Sequence, residues 1–262
     1  MHISPNVTAK TFRLTKNEAI PTPFIYPDSA SVRTGISNLS RLFIGKKIGI
    51  IGLGGTGSYI LDLVAKTPVE EIHLFDDDKF CQHNAFRTPG AAALEDVSGN
   101  LAKIEYLKNI YSKMHKGIIN HLQKVDVSSQ ETLAALSFVF LSIDNGQSRK
   151  EISELLFQVG VPFIDVGMGL DVCSGENGEI SGICRVSFGS SNTTDFFRKN
   201  VPFSEGKDDI YNTNIQVADL NALNAALAVI RWKKYLGYYH DSSKEVLSSF
   251  TVDTNAVGRA PN

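Results

Sequence analysis

A glycine-rich loop between a predicted strand and a predicted helix constrains the fold of this chain more than any other feature. The apolar run at residues 48–51 leads into the sequence GLGGTGS, and residues 58–66 then follow a helical pattern. A strand, a glycine turn and a helix in this order form the unit whose helix N-terminus binds phosphate groups. The loop therefore predicts a nucleotide-binding α/β domain.

Three glycines and one aspartate give this loop its predicted function. Gly52 permits the tight turn, Gly54 lets the backbone approach a phosphate, and Gly57 lets the helix pack closely on the strand. Asp76 lies at the end of the next predicted strand, residues 71–75, where its carboxylate can accept hydrogen bonds from ribose hydroxyls. A glycine turn without a ligand is the less favoured alternative, and an NAD-linked oxidoreductase fits these features equally well.

The pattern along the chain predicts an α/β fold with a doubly wound, mainly parallel sheet of the Rossmann type. Further strands are predicted at residues 118–125, 138–143 and 162–166, and helices at 103–114 and 150–159. Alternation of this kind is typical of βαβ units whose helices cover both faces of a parallel sheet. We predict one domain over residues 46–262, preceded by an extended, proline-containing arm over residues 1–45.

The final third of the chain departs from this alternation. Residues 179–188 alternate between apolar and polar side chains and predict an antiparallel strand, and 249–253 predict a last strand. Between them, residues 190–213 are predicted to be a long loop and 215–236 a helix. Four apolar residues are expected to form the buried face of that helix, interrupted by two asparagines: Leu220, Leu223, Leu227 and Ile230, with Asn221 and Asn224.

Composition excludes several classes of partner. The net charge of -2 gives no general attraction to nucleic acid or to anionic lipid. No segment is apolar for long enough to span a membrane, and the first residues lack the apolar core of a secretion signal. The cysteines Cys81, Cys173 and Cys184 have an irregular spacing that indicates neither a disulfide framework nor a zinc site. We therefore expect a cytoplasmic protein without nucleic-acid or membrane partners.

Charged and polar residues follow the predicted strands on the side where ligands collect in doubly wound sheets. The acids and amide at these ends are Asp76, Asp78, Asp144 and Asn145, and the cations Arg87 and Lys103 lie on the segment that leaves the second strand. Fixed cations can neutralise the charge that develops on a triphosphate, and carboxylates can hold Mg²⁺. The set therefore favours ATP with Mg²⁺ over a dinucleotide.

At these positions the sequence resembles the ubiquitin-activating enzymes and their bacterial relatives, the ThiF, MoeB and HesA adenylyltransferases. The resemblance extends from about residue 48 to 166 and more loosely to 232. The residues that match the family's five motifs are Gly52, Gly54, Gly55, Gly57 and Ser58 in the glycine loop, then Asp76 and Asp78, Asn84 and Arg87, Lys103, and finally Asp144 and Asn145.

The resemblance implies a function for these residues. Asp76 would hold the ribose, Arg87 and Lys103 the phosphates, and Asp144 the Mg²⁺ ion. The implied reaction is ATP-dependent adenylation of the C-terminal glycine of a ubiquitin-like or sulfur-carrier-like protein, with release of pyrophosphate. Family members are usually dimers, so a homodimer is expected. Some borrow an arginine from the partner's N-terminal segment, for which Arg33 and Arg41 are the candidates.

Two departures from the family pattern shape the expected mechanism. The chain lacks the paired cysteines that bind structural zinc in many relatives, and residues 190–213 contain no cysteine that could form a thioester. Cys184 lies in an apolar strand pattern and is expected to be buried, while no neighbouring base or cation marks Cys173 as activated. The expected mechanism is therefore adenylation without a stable enzyme thioester.

Other functions and residue roles stay open from sequence. Related proteins adenylate small molecules or tRNA, an NAD(P)-dependent oxidoreductase shares the glycine loop, and a non-catalytic protein could serve as the binding half of a heterodimer. Asp165 is predicted to face the crevice, where it could hold Mg²⁺, shape a substrate tunnel or serve an internal structural role. His115, His121 and His240 are expected at the surface.

Overall fold

The computed structural model describes residues 22–173, 178–203 and 215–261, and within these ranges eight strands form one sheet. The spatial order of the strands is β3-β2-β1-β4-β5-β6-β7-β8. Their bounds are β1 Lys47–Ile51, β2 Glu71–Phe75, β3 Ile118–His121, β4 Phe138–Leu141, β5 Phe163–Val172, β6 Ile180–Gly189, β7 Glu245–Thr251 and β8 Ala256–Pro261. The first five strands in this spatial order, β3-β2-β1-β4-β5, pair in parallel, and β5, β6, β7 and β8 pair antiparallel. This arrangement confirms the predicted mainly parallel sheet with antiparallel C-terminal strands.

Helices cover both faces of the parallel part of the sheet. Their bounds are α1 Ser29–Arg33, α2 Ser37–Ser40, α3 Gly55–Val64, α4 Gln82–Ala85, α5 Leu94–Ser98, α6 Lys103–Tyr111, α7 Gln130–Ala134, α8 Gly146–Val159, α9 Thr194–Asn200 and α10 Ala218–Tyr235. Helices α3, α6 and α10 share one apolar core, and α7, α8 and α9 share another. Two cores on opposite faces are what buried parallel strands require, because both faces of such strands must leave water.

The alternation of side chains along the strands divides them between the two cores. Phe138 and Phe140 of β4 face the core that contains α3 and α10, whereas Val139 and Leu141 face the core that contains α8. None of the helices in the described ranges is both long enough and apolar enough to cross a membrane.

The strand register brings the predicted site residues to one edge of the sheet. Ile51 pairs with Phe75 on one side and with Leu141 on the other, and Leu141 pairs with Asp165. The connections that follow β1, β2 and β4 therefore begin side by side. Strand β5 continues beyond this edge to Val172 as a hairpin with β6.

The described part of the N-terminal arm, residues 22–45, contains α1 and α2, where the sequence predicts an extended arm. Phe43 is buried, and its ring centroid lies 5.3 Å from that of Trp232 in α10. Phe24 is also buried and forms an isolated antiparallel bridge with His115. Residues 22–45 thus pack on the domain through two apolar anchors.

Helix α10 presents a different face to the core from the expected one. Its buried residues are Asn221, Asn224, Ala225, Ala228, Val229, Arg231 and Trp232. The predicted apolar stripe is instead partly exposed, and Ile230 keeps 42% of its surface accessible. The prediction is wrong because small residues and asparagines fit close to α3 and β5, where leucines would be too large.

Three smaller expectations also need correction. His115, expected at the surface, is fully buried, whereas His121 is half-buried and His240 is exposed as predicted. The predicted loop at 190–213 contains α9, and its residues 204–213 lie outside the described ranges. The predicted last strand is longer, as β7, and is followed by the unpredicted β8.

Candidate active site

The glycine loop is a tightly packed turn between β1 and α3. Gly52 has a φ of 85°, a left-handed conformation that favours glycine, and its N–H donates to Phe75 O at 2.9 Å. A Cβ atom on Gly52 would lie 2.2 Å from Ser142 O, and one on Gly57 would lie 1.9 Å from Gly52 O. Neither position therefore tolerates a side chain.

Gly54 differs from the other glycines of the loop. A Cβ atom there would meet no atom within 4 Å, so the space beside Gly54 is open. Gly54 is the residue before the first turn of α3, whose free N–H groups favour an anion. Ser58, by contrast, is buried, and its hydroxyl donates to Gly55 O at 2.7 Å within the helix.

Asp76 connects the glycine loop to the end of β2. Its Oδ2 accepts a hydrogen bond of 2.7 Å from the N–H of Leu53, and its Oδ1 accepts one of 2.9 Å from the N–H of Asp78. Burial raises the pKa of Asp76, while Lys103 and the two backbone donors act in the opposite direction. The carboxylate of Asp76 is thus fixed against the loop. Asp76 is the residue predicted to accept hydrogen bonds from a ribose.

Lys103 brings the start of α6 to the same carboxylates. Its Nζ lies 2.6 Å from Oδ2 of Asp78 and 3.6 Å from Oδ1 of Asp76. The side chain of Lys103 is largely buried, whereas that of Asp78 is 69% exposed. An ion pair with one well-solvated partner is weak, so the ammonium group can exchange Asp78 for another anion at small cost.

Asn84 and Arg87 carry hydrogen-bond donors that have no partner among the described residues. Oδ1 of Asn84 accepts from the N–H of Cys81 at 2.8 Å at the start of α4, but its buried Nδ2 is unsatisfied. Nε of Arg87 is also buried and unsatisfied. Unpaired buried donors are costly, and a bound ligand with acceptor oxygens would remove that cost.

Asp144 and Asn145 lie in the connection from β4 to α8, at the same edge of the sheet. Asn145 caps α8, because its Oδ1 accepts from the N–H of Ser148 at 2.8 Å. Asp144 directly precedes this cap and is exposed. The structure thus joins the glycine loop, Asp76, Asp78 and Lys103 through direct contacts. Asn84 and Arg87 lie in the segment between Asp78 and Lys103, and Asp144 and Asn145 lie in the connection after β4.

Asn221 contributes to the loop from α10, and sequence analysis interpreted it only as a break in an apolar stripe. Its Oδ1 accepts from the hydroxyl of Thr56 at 2.9 Å. A Cβ atom on Gly55 would lie 2.2 Å from its Nδ2, so the amide packs directly on the glycine backbone. The signal available from sequence was a polar residue in an otherwise apolar helix.

Asp165 is held by two arginines that sequence analysis did not single out. Arg149 of α8 donates from Nε at 3.0 Å and from Nη2 at 2.7 Å, and Arg185 of β6 donates from Nη2 at 2.8 Å. The Asp165 side chain is fully buried. Its carboxylate is therefore held in internal ion pairs, which agrees with a structural role, one of the alternatives considered for it.

The environments of the three cysteines differ, and Cys184 is buried as the sequence predicts. Cys184 is buried, and burial together with nearby Asp219 raises the pKa of its thiol to about 11. Such a thiol stays neutral and unreactive near neutral pH. Cys81 and Cys173 are exposed and free.

Comparison with known proteins places these features in a family. The model of the ThiF family matches residues 33–247. E. coli MccB with MccA-N7isoASN superposes with a TM-score of 0.69 at 17% identity, over 88% of this chain and 70% of that chain. For E. coli MccB with ATP the TM-score is 0.61 at 16% identity, covering 86% and 66%.

A third structure, selenomethionine PaaA, has a TM-score of 0.63 at 15% identity and covers 86% of this chain and 76% of its own. At these identities the structures demonstrate a shared fold. No protein of curated function matches the sequence.

Proposed function

Because the chain belongs to the ThiF family, we propose that it is an ATP-dependent adenylyltransferase that activates the C-terminal glycine carboxylate of a ubiquitin-like protein. The observation that carries this proposal is the pair of buried, unsatisfied donors on Asn84 and Arg87. They lie in the segment between Asp78 and Lys103, and Lys103 also contacts Asp76, which holds the glycine loop. Phosphate and ribose oxygens are acceptors of the kind these groups lack.

The reaction requires no covalent bond to the enzyme. A carboxylate oxygen of the substrate attacks the α-phosphorus of ATP, the bond from that phosphorus to the bridging oxygen breaks, and pyrophosphate leaves with the electron pair. Arg87 and Lys103 stabilise the negative charge that develops on the phosphates. Lys103 can turn to the phosphates because its partner Asp78 is mostly solvated.

A magnesium ion fits this site as a companion of the nucleotide. In the described parts of the chain, no three His, Cys, Asp or Glu side chains converge to form a metal site. Mg²⁺ commonly binds through one or two carboxylates together with substrate phosphates, so a single aspartate is sufficient. Asp144 would hold the ion, which when bound supplies positive charge next to the phosphates.

The choice of acyl substrate is supported by the family and by the neighbouring structures. MccB has been crystallised with ATP, with AMPCPP and MccA, and with N-formylated MccA. These complexes support ATP and a polypeptide as the two substrates of an enzyme with this fold. The resemblance to MoeB-like proteins then favours a ubiquitin-like or sulfur-carrier-like partner with a C-terminal glycine, and a cytoplasmic homodimer.

Adenylation without an enzyme thioester agrees with the environments of the cysteines. Cys184 is buried with a raised pKa, and Cys81 and Cys173 are free thiols at the surface. A nucleophilic cysteine needs a lowered pKa. The acceptor of the acyl group therefore attacks the acyl-adenylate directly.

Isotope exchange between ATP and pyrophosphate, measured with candidate ubiquitin-like proteins ending in glycine, tests the proposal. The wild-type protein should catalyse exchange only when protein substrate is present, and Asp144→Ala should abolish it. The matched control is Asp77→Asn, which changes an exposed acid outside the predicted set. An unchanged rate in Asp144→Ala removes this residue from the mechanism. Binding of a nicotinamide cofactor, together with no affinity for ATP and Mg²⁺, overturns the whole proposal.

A further inference from the structure

The cluster of Arg149, Asp165 and Arg185 contains two cations for one anion. Both guanidinium groups lie within 2.8 Å of Oδ2 of Asp165, and the arginine side chains are only 11% and 13% exposed. Burial lowers the pKa of Arg185 and the charge of Arg149 lowers it further, while Asp165 raises it and is the one acid acting on it among the described residues. Among the described residues, the cluster thus sets two guanidinium charges against the single carboxylate of Asp165 in a poorly solvated place, an arrangement that a second anion would stabilise.

The position of this charge relates it to the proposed chemistry. Asp165 pairs in register with Leu141, the last residue of β4, and Arg185 lies opposite Gly167 on the part of the hairpin that extends beyond that edge. Arg149 is in the first turn of α8, directly after the connection that contains Asp144. The guanidinium groups therefore stand at the edge of the sheet where the nucleotide site lies.

An open strip of the β5–β6 hairpin leads to Arg185. Gly167 and Gly169 lie on the same face as Arg185 and Ile183, because alternate residues of paired strands share a face. A side chain at Gly167 would collide with the guanidinium group of Arg185 at 2.6 Å, whereas the space at Gly169 is empty to 4 Å. Ile183, opposite Gly169, is 46% exposed.

We infer that Arg149 and Arg185, supported by Asp165, form a subsite that binds a carboxylate of the acyl substrate. The inference rests on the proposed function and specifies its substrate. An extended polypeptide that lies along Gly169 and Ile183 reaches Arg185 before it reaches the nucleotide edge. A guanidinium group binds carboxylates with directed, charge-assisted hydrogen bonds, which suits a site that must orient a substrate.

This carboxylate can come from two sources, and the arginines would bind either one through the same hydrogen bonds. One is the reacting C-terminal carboxylate itself, and the other is an acidic side chain shortly before it. Four fluorescein-labelled pools of hexapeptides ending in glycine distinguish them. The pools contain either glutamate or glutamine at the internal positions, and each has either a free C-terminal carboxylate or a carboxamide.

The informative variant is Arg185→Met, because it removes the excess charge and leaves Arg149 and Asp165 as a matched pair that can still fold. Arg185→Lys retains the charge. The matched control is Arg198→Met, which removes an arginine of α9 from its exposed ion pair with Glu154 of α8. Peptide affinity is measured by fluorescence anisotropy, and ATP affinity and thermal unfolding are measured on the same proteins.

We expect the wild-type protein to prefer one type of carboxylate by about tenfold in affinity. A preference for free acid over carboxamide identifies the reacting group, and a preference for glutamate over glutamine identifies a side chain. Arg185→Met should reduce the preference to less than about twofold without changing ATP affinity, and Arg198→Met should keep it. Equal affinity for all four pools, or a preference that survives Arg185→Met, overturns the inference.

Exchange of pyrophosphate with the same pools separates this inference from the proposed function. An Arg185-dependent preference in binding without any exchange leaves the subsite established and contradicts adenylation. Exchange that is equally fast with the two free-acid pools, and unchanged in Arg185→Met, supports adenylation and contradicts the subsite. Under the inference, Arg185→Met raises KM for the preferred pool and leaves kcat within about twofold.

Discussion

Nζ of Lys103 lies 2.6 Å from Oδ2 of Asp78, and this contact holds together the two ends of the segment between these residues. The backbone reinforces the closure, because the N–H of Lys103 donates to Asp78 O at 3.0 Å. The enclosed segment contains Asn84, which lies in α4, and Arg87, which follows that helix. A single ion pair at the nucleotide edge therefore also fixes the ends of the connection that presents the two unsatisfied donors.

Replacement of Lys103 by methionine should separate the effect of the ammonium charge from that of side-chain packing. The methionine fills much of the same volume, so the fold should survive, but the exchange rate should fall by about 10²- to 10³-fold through the loss of a fixed cation. Lys103→Arg should retain part of the rate. The control is Lys124→Met, which removes an exposed lysine 3.9 Å from Asp77. Equal rates in Lys103→Met and Lys124→Met would exclude Lys103 from phosphate binding.

Asp76 should determine both ATP affinity and its dependence on pH. Asp76→Asn should weaken ATP binding by about tenfold, because a charged acceptor is lost beside Leu53, while Asp77→Asn should not. Burial raises the pKa of Asp76, so its carboxylate gains a proton at a higher pH than an exposed aspartate does. ATP affinity of the wild type should consequently fall as the pH drops through that pKa, and calorimetry with Asp76→Asn should show a weaker fall. An equally steep fall in the variant contradicts this assignment.

Gly55 and Asn221 should be coupled in stability. Alanine at Gly55 places its Cβ 2.2 Å from the Asn221 amide, an overlap that should cost about 1–3 kcal/mol in the free energy of unfolding. Asn221→Ala makes room, so the double variant should be more stable than the sum of the single changes predicts. Gly54→Ala is the control, since nothing lies within 4 Å of its Cβ. Additive effects in denaturant unfolding would show that the two residues do not press on each other.

Local signals explain why so much of the site could be predicted from sequence. The glycine loop, Asp76, Asp78 and Lys103 occur close to strand and helix ends, and strand ends are set by short apolar runs. In a parallel sheet the carboxyl ends of the strands lie at one edge, so the strand order determines which of these residues lie next to each other. The structure finds Asp76 and Lys103 in contact as this reasoning implies.

The features that sequence analysis missed depend on contacts between distant segments. The buried face of α10 is set by the close approach of Asn221 to Gly55, which the apolar pattern of the helix does not encode. The charges of Arg149 and Arg185 meet at Asp165 only through the packing of α8 and the register of β6. His115 is buried because its two ring nitrogens satisfy backbone groups, a role that one residue in isolation does not reveal.

A variant without cysteine should retain adenylation. Cys81→Ser, Cys173→Ser and Cys184→Ala together should leave the exchange rate within about twofold, with about 1 kcal/mol lost in stability from the small cavity at the buried Cys184. The measurement is exchange together with mass spectrometry of the protein after incubation with ATP and substrate. An adduct on the wild type that is labile to thiols, or loss of activity in Cys173→Ala alone, contradicts a mechanism without a thioester.

His115 should make the fold sensitive to acid. Its Nε2 donates to Val69 O at 3.0 Å and its Nδ1 accepts from the N–H of Gly117 at 3.1 Å. The bond from Gly117 requires the neutral ring, because a protonated Nδ1 cannot accept it. Burial lowers the pKa of His115, although the Val69 carbonyl acts against this shift. Below the unfolded pKa of about 6.5 the unfolded chain binds a proton that the native state refuses. Stability is therefore full above that pH and declines as the pH falls toward the lowered native pKa.

The slope of this decline, up to about 1.4 kcal/mol per pH unit for one residue, can be measured by urea unfolding between pH 7 and 5. His115→Gln should be less stable at pH 7, because it loses a backbone contact, but should show a shallower dependence on pH. Part of the slope should remain, since burial and the neighbouring His73 also lower the pKa of His121. His240→Gln, a change at an exposed histidine, should keep the wild-type slope. If His115→Gln keeps the full slope, the acid sensitivity of the fold arises from other groups.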